Sequence, residues 1–154
     1  MVRDPAPAAL AAALADAAYG AWQRVKDRAD RHDKVGVGAG GNPTSKADDA
    51  LEKAILRKAK GFGLTVLSEE AGLVGQGSDL IAVVDPLDGS RNAGRGIPFH
   101  CTSVAVGKAG PKASLGGLQA GVVRNLVTGD TYAAAKGKGA TLNGKPVRRS
   151  AFDP

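Results

Sequence analysis

A chain of 154 residues, 43% of them hydrophobic, carries enough apolar material to bury a core and suits one globular unit or a portion of one. Its 21 Lys and Arg against 15 Asp and Glu give a formal charge of +6, which favours anionic partners. With only 4% aromatic residues and scattered cations there is no charged stacking platform for nucleic acid, so a small phosphorylated metabolite is the expected partner. The single cysteine, Cys101, excludes an internal disulfide and suits a reducing compartment. Asp4 and Asp16 interrupt the alanine-rich start, and no run of 18 apolar residues follows, so no signal segment or membrane span is expected and the chain is assigned to the cytoplasm.

In chain order, residues 6–30 place Leu10, Ala13, Leu14, Ala17, Ala21 and Val25 at spacings of three and four, which predicts a helix packed by one face with Trp22 beside it as a packing residue. Residues 36–43, GVGAGGNP, are too rich in glycine for regular helix and read as a loop or a distorted hairpin. A second helix is expected from Thr44 or Ser45 to about Lys60, with Ala47, Leu51, Ala54 and Ile55 inward; Ser45 and Asp48 have the spacing of a capping box. Gly61 and Gly63 end it, and a short strand at 64–67 leads to Ser68, Glu69 and Glu70.

After another glycine-rich stretch comes an apolar run, residues 80–84, with no alternation, which predicts a strand covered on both faces. Residues 101–106, 115–123 and 131–135 read as further strands joined by turns, and 136–144 as a glycine-rich hairpin; Cys101 reads as a small hydrophobe buried in its strand. The order of elements predicts an α+β fold, two N-terminal helices packed on a largely antiparallel sheet.

Chemistry concentrates where the apolar run ends, in D-P-L-D-G-S at 85–90. Asp85 and Asp88 lie three apart around Pro86, whose fixed φ bends the chain so that both carboxylates can converge beyond the sheet; oxygen donors of this kind suit a hard cation such as Mg²⁺. Gly89 and Ser90 follow, where backbone N–H groups can approach an anion closely. A type I turn uses the same residue types, but it does not explain the fully apolar strand before them or the acidic pair Glu69 and Glu70 that ends the preceding strand.

The segments S-E-E-A-G at 68–72, D-P-L-D-G-S-R-N at 85–92 and G-I-P-F-H at 96–100 together resemble the inositol monophosphatase family, close to its archaeal fructose-1,6-bisphosphatase branch. The resemblance runs from the first helix to Asn143 and Gly144 and implies an Mg²⁺-dependent phosphate monoester hydrolase acting on inositol 1-phosphate, fructose 1,6-bisphosphate or both through metal-activated water. It assigns Glu69, Asp85, Asp88 and the Leu87 carbonyl to the metal, leaving the Leu87 side chain free to vary. Gly89 and Ser90 fall to the phosphate, Asp48, Glu70 and Ser90 to orienting the nucleophile, and the glycine-rich stretch at 36–43 to a flexible loop beside the site. Residues 1–154 then correspond to a single partial domain, the N-terminal half of the family's layered fold. The family's other half supplies a further metal-binding aspartate, and after the central motif this sequence has only Asp130 and Asp153, neither in a matching motif. A homodimer or a complementary chain is therefore the expected partner, and a non-catalytic half that binds metal and phosphate is the alternative. Locally, Ala93 stands where the family has an aromatic, and Arg91 and Arg95 lie beside it, open to reading a second phosphate or to solvent.

Overall fold

The computed structural model describes residues 5–148 apart from Gln76 and Lys112; Asp4 and Asp153 lie outside the described residues. Helix α1 (Pro7–Val25) starts on a proline, whose φ is already helical and whose missing N–H would have had no partner there. It buries Leu10, Leu14, Ala18, Ala21 and Trp22, so the tryptophan lies inside the packed face. Helix α2 (Lys46–Gly61) is started by the predicted capping box: the Asp48 N–H donates to Ser45 Oγ, and the Ser45 N–H donates to the Asp48 carboxylate at 2.8 Å. Asp48 and Asp49 in its first turn and Lys58 and Lys60 in its last complement the helix dipole.

Between the helices, β1 (Lys34–Val37) and β2 (Pro43–Ser45) form a small antiparallel hairpin with an irregular register, which resolves the glycine-rich stretch in favour of a distorted hairpin. The main sheet has eight strands in the order β10-β9-β8-β7-β6-β5-β3-β4: β3 (Thr65–Ser68), β4 (Gly72–Val74), β5 (Leu80–Asp88), β6 (Cys101–Lys108), β7 (Leu118–Asn125), β8 (Thr131–Ala135), β9 (Gly139–Leu142) and β10 (Lys145–Pro146). Every neighbouring pair is antiparallel except β3 and β5, which run parallel. The fold is α+β, as expected. Strand β4 and a short helix α3 (Ser90–Gly94) were not foreseen as elements.

Both long helices lie on one face of the sheet, where Val66, Ala82, Val84, Val104, Val106 and Val122 meet Leu10, Leu14, Leu51 and Ile55 in a single core. The opposite face corrects an expectation. Leu67, Val83 and Leu73 share it by register and are 44%, 37% and 64% exposed, so β5 is covered on one face only by the described elements. An unbroken apolar run marks a strand with two apolar faces, and it says nothing of which layers lie against them. Among the described residues no helix is long and apolar enough to cross a membrane.

Candidate functional site

The parallel pair builds the site. In register, Ser68 of β3 stands opposite Val84 of β5, and the next N–H, that of Glu69, donates to the Val84 carbonyl at 3.1 Å. Glu69 and Asp85 therefore stand side by side where the parallel pairing of β3 and β5 ends, with Asp85 still paired to Ser103 of β6. Pairing of β5 with β6 then breaks between Asp85 and Asp88, and the Leu87 N–H turns back to the Asp85 carboxylate at 3.1 Å. Pro86 removes a ladder donor where the ladder fails. The Leu87 side chain is 5% exposed and belongs to the core, so it is not free to vary, contrary to the expectation for a residue offering only its carbonyl.

The acids perturb one another. Asp85's carboxyl is pushed up to about 7, by burial first and then by the charges of Glu69 and Asp88. Glu70 is also raised, by burial above all, against an opposing hydrogen bond from Thr44 Oγ1. Among the described residues no three acidic, histidine or cysteine side chains are gathered closely enough to make a ready ligand set. Glu69 and Asp88 are nonetheless near enough for their charges to raise Asp85, and an excess of negative oxygen donors of this kind is what a hard divalent cation neutralises, so the donor chemistry fits such an ion.

Glu69, Glu70, Gly89, Ser90 and Arg91 line one cleft of about 450 Å³, together with Lys34 and Asn42 of the hairpin. Asp88 lines a second cavity of about 260 Å³ with Asn92, Phe99, His100 and Cys101. There the Cys101 thiol donates to the Asp88 carboxylate at 3.6 Å. Cys101 is half-buried in β6, where a fully buried small hydrophobe was expected, and it has a polar contact; its thiol is pushed up to about 11, by burial first and by Asp88 next. Asp48, 3% exposed, is occupied by Ser45 at 2.6 Å and does not line the cleft. Gly89 has φ +84°, and a Cβ there would stand 2.9 Å from the Phe99 carbonyl, so two neighbouring constraints require glycine. The Asp130 carboxylate accepts from Thr128 Oγ1 and from Asn143 Nδ2, each at 2.8 Å, and Arg95 is not among the cleft-lining residues.

Sequence reasoning missed Thr44 and Lys34. Thr44 is 9% exposed and its hydroxyl reaches Glu70 across 26 residues, a contact with no local signature. The hairpin itself docks on the acidic turn: the Ala39 N–H donates to the Glu70 carbonyl at 2.7 Å and the Gly40 N–H to the Glu69 carbonyl at 3.2 Å.

Comparison with known proteins places the chain in a family. The family model described as "Inositol monophosphatase family" matches residues 7–152. A fructose-1,6-bisphosphatase/inositol-1-monophosphatase of Methanothermobacter thermautotrophicus is 39% identical over 131 residues, covering 79% of this chain and 47% of the relative. A bifunctional NADP phosphatase/NAD kinase of Methanococcus maripaludis is 35% identical, covering 75% of this chain and 23% of the relative. The crystal structure of an inositol monophosphatase–fructose 1,6-bisphosphatase superposes with a TM-score of 0.79 at 29% identity, covering 95% of this chain and 56% of that one. The chain spans about half the length of the fructose-1,6-bisphosphatase/inositol-1-monophosphatase relatives it matches.

Proposed function

Since the chain belongs to the inositol monophosphatase family, we propose that the protein is an Mg²⁺-dependent phosphate monoester hydrolase acting on a sugar or inositol phosphate in the cytoplasm. The observation that carries the reading is the parallel pairing of β3 and β5, which sets Glu69 beside Asp85 at one sheet edge, with Glu70, Gly89 and Ser90 on the adjoining cleft. The half-length match supports taking residues 1–154 as one part of a longer phosphatase domain.

Glu69, Asp85, Asp88 and the Leu87 carbonyl are the groups that would hold Mg²⁺. When bound, that ion supplies a lowered pKa for water and counter-charge for the phosphoryl oxygens. The remaining work falls to the chain's own residues. Backbone N–H groups at Gly89 and Ser90 bind phosphoryl oxygens, and the rigid φ at Gly89 keeps them aimed. Glu70, held by Thr44, and the Ser90 hydroxyl orient the attacking water, while Asp48 acts one layer further in by fixing the start of α2. Lys34 and Arg91 flank the carboxylates and would bind the substrate's anionic groups, including a second phosphate.

The test is phosphate release by the full-length protein from inositol 1-phosphate, fructose 1,6-bisphosphate, NADP⁺ and p-nitrophenyl phosphate, with Mg²⁺ and with chelator. Turnover of at least one ester near 1 s⁻¹, lost on chelation, is expected. Tight metal binding with no turnover of any ester would instead favour a non-catalytic metal- and phosphate-binding subunit that acts with a complementary chain.

A further inference from the structure

Glu52 stands one helical turn after Asp48 on α2, on the same side of the helix. One of its carboxylate oxygens, Oε1, accepts two hydrogen bonds: from Ser68 Oγ at 2.6 Å and from the Ala71 N–H at 2.8 Å. Those donors immediately precede and follow Glu69 and Glu70. Ser68 is 5% exposed, so its hydroxyl has little access to water as an alternative partner. A single oxygen thus closes both ends of the two-residue turn from the helix side. The hairpin closes it from the other side through the carbonyls of Glu69 and Glu70. With both its backbone and its flanks held, the turn has few ways to direct its two carboxylates except toward the cleft and Asp85.

A glutamate placed behind two glutamates and an aspartate adds repulsion to an already crowded site, and a neutral hydroxyl or amide at this position would satisfy Ser68 without that cost. What a carboxylate oxygen offers beyond them is strength: as an ionised acceptor it forms hydrogen bonds about twice as strong as a neutral group does, and here it forms two on one atom.

We propose that Glu52 is a positioning residue that orients Glu69 and Glu70 for a divalent cation while touching neither cation nor substrate. The inference rests on the phosphatase reading given above. It predicts that Glu52→Ala weakens metal binding, whereas a purely structural clamp would lower stability and leave affinity alone.

The experiment uses the full-length protein, with Mn²⁺ as a calorimetric probe and amide exchange at Ala71 measured without metal. Glu52→Ala is expected to weaken Mn²⁺ by about 10- to 100-fold and to expose the Ala71 amide to exchange. Glu52→Gln, which keeps an acceptor oxygen but loses the charge that strengthens its bonds, is expected to recover part of the affinity and to fall between Glu52→Ala and the wild type. Ser68→Ala removes one of the two bonds and leaves α2 intact; it should weaken Mn²⁺ in the same direction by a smaller factor, and it carries the test if Glu52→Ala does not fold. Unchanged Mn²⁺ affinity in the folded variants, whatever their melting temperature, would overturn the proposal. Failure of the wild-type protein to bind Mn²⁺ at all would overturn the phosphatase reading on which it rests, and is a separate result.

Discussion

Asp85 ties the chemistry of the site to its stability. Its carboxyl is raised in the folded chain from an ordinary value of 3.8 to about 7, so the native state holds this proton more tightly than the unfolded one. The stabilisation is fully present below the unfolded pKa, declines as pH rises from about 4 to about 7, and is gone above that. Metal-free wild-type protein should therefore lose urea midpoint relative to Asp85→Asn between pH 5 and pH 7.5, and parallel profiles for the two proteins would refute the assignment. Leu87, one residue before Asp88, tests packing at the same place. Truncating this buried side chain to alanine should cost about 2–5 kcal/mol in urea denaturation, where a surface residue chosen only for its carbonyl would cost almost nothing. Gly89→Ala meets both a left-handed φ and the Phe99 carbonyl, and a loss of at least about 1 kcal/mol is expected.

Elements differ in how much of them could be read from residues. The start of α2 was legible because a capping box is local: Ser45 and Asp48 sit three apart and satisfy each other without help from the rest of the chain. Strands β6 and β8 were legible for a similar reason, each being an apolar run between turn formers. The parallel pairing of β3 with β5 was not, since consecutive strands joined by short glycine-rich segments suggest antiparallel neighbours; here β4 folds back outside β3, and β5 enters on the inner side. The pairs that make the site, Glu69 with Asp85 and Thr44 with Glu70, follow from this topology and from hairpin docking, and neither has a sequence period to reveal it. Of the site residues named from motifs, Glu69, Glu70, Gly89 and Ser90 share a cleft, while Asp88 faces the neighbouring cavity and Asp48 is taken up in the helix cap. A side chain at Gly38 would run into the Glu70 carboxylate, so Gly38→Val should undock the hairpin and raise the Mg²⁺ needed for half-maximal activity, with the circular dichroism spectrum unchanged. An unaltered Mg²⁺ requirement would reduce the hairpin to a linker.

For the molecule as a whole, one face of the sheet is packed and the other is apolar and open. Leu73, Leu67 and Val83 continue across β6 through Ala105, and Val123 and Tyr132 extend the surface at 41% and 52% exposure. A contiguous apolar face of this kind marks an interaction surface or an aggregation hazard. Purified as residues 1–154, the chain should bind an apolar fluorescent dye and sediment above its single-chain mass of 15.5 kDa; a dye-silent monomer would show that this face is satisfied by other means. The chemistry rests on the carboxylates that follow the paired strands, of which Asp88 is the one that ends β5, between the bulge and the short helix. The most direct test is the Mg²⁺ dependence of phosphate release by full-length wild-type protein and by Asp88→Asn, a change that preserves shape and removes charge. The account predicts Mg²⁺-dependent turnover in the wild type and a fall to below about 1% of it in a variant with an unaltered fold; retention of about a tenth or more of wild-type turnover would contradict it.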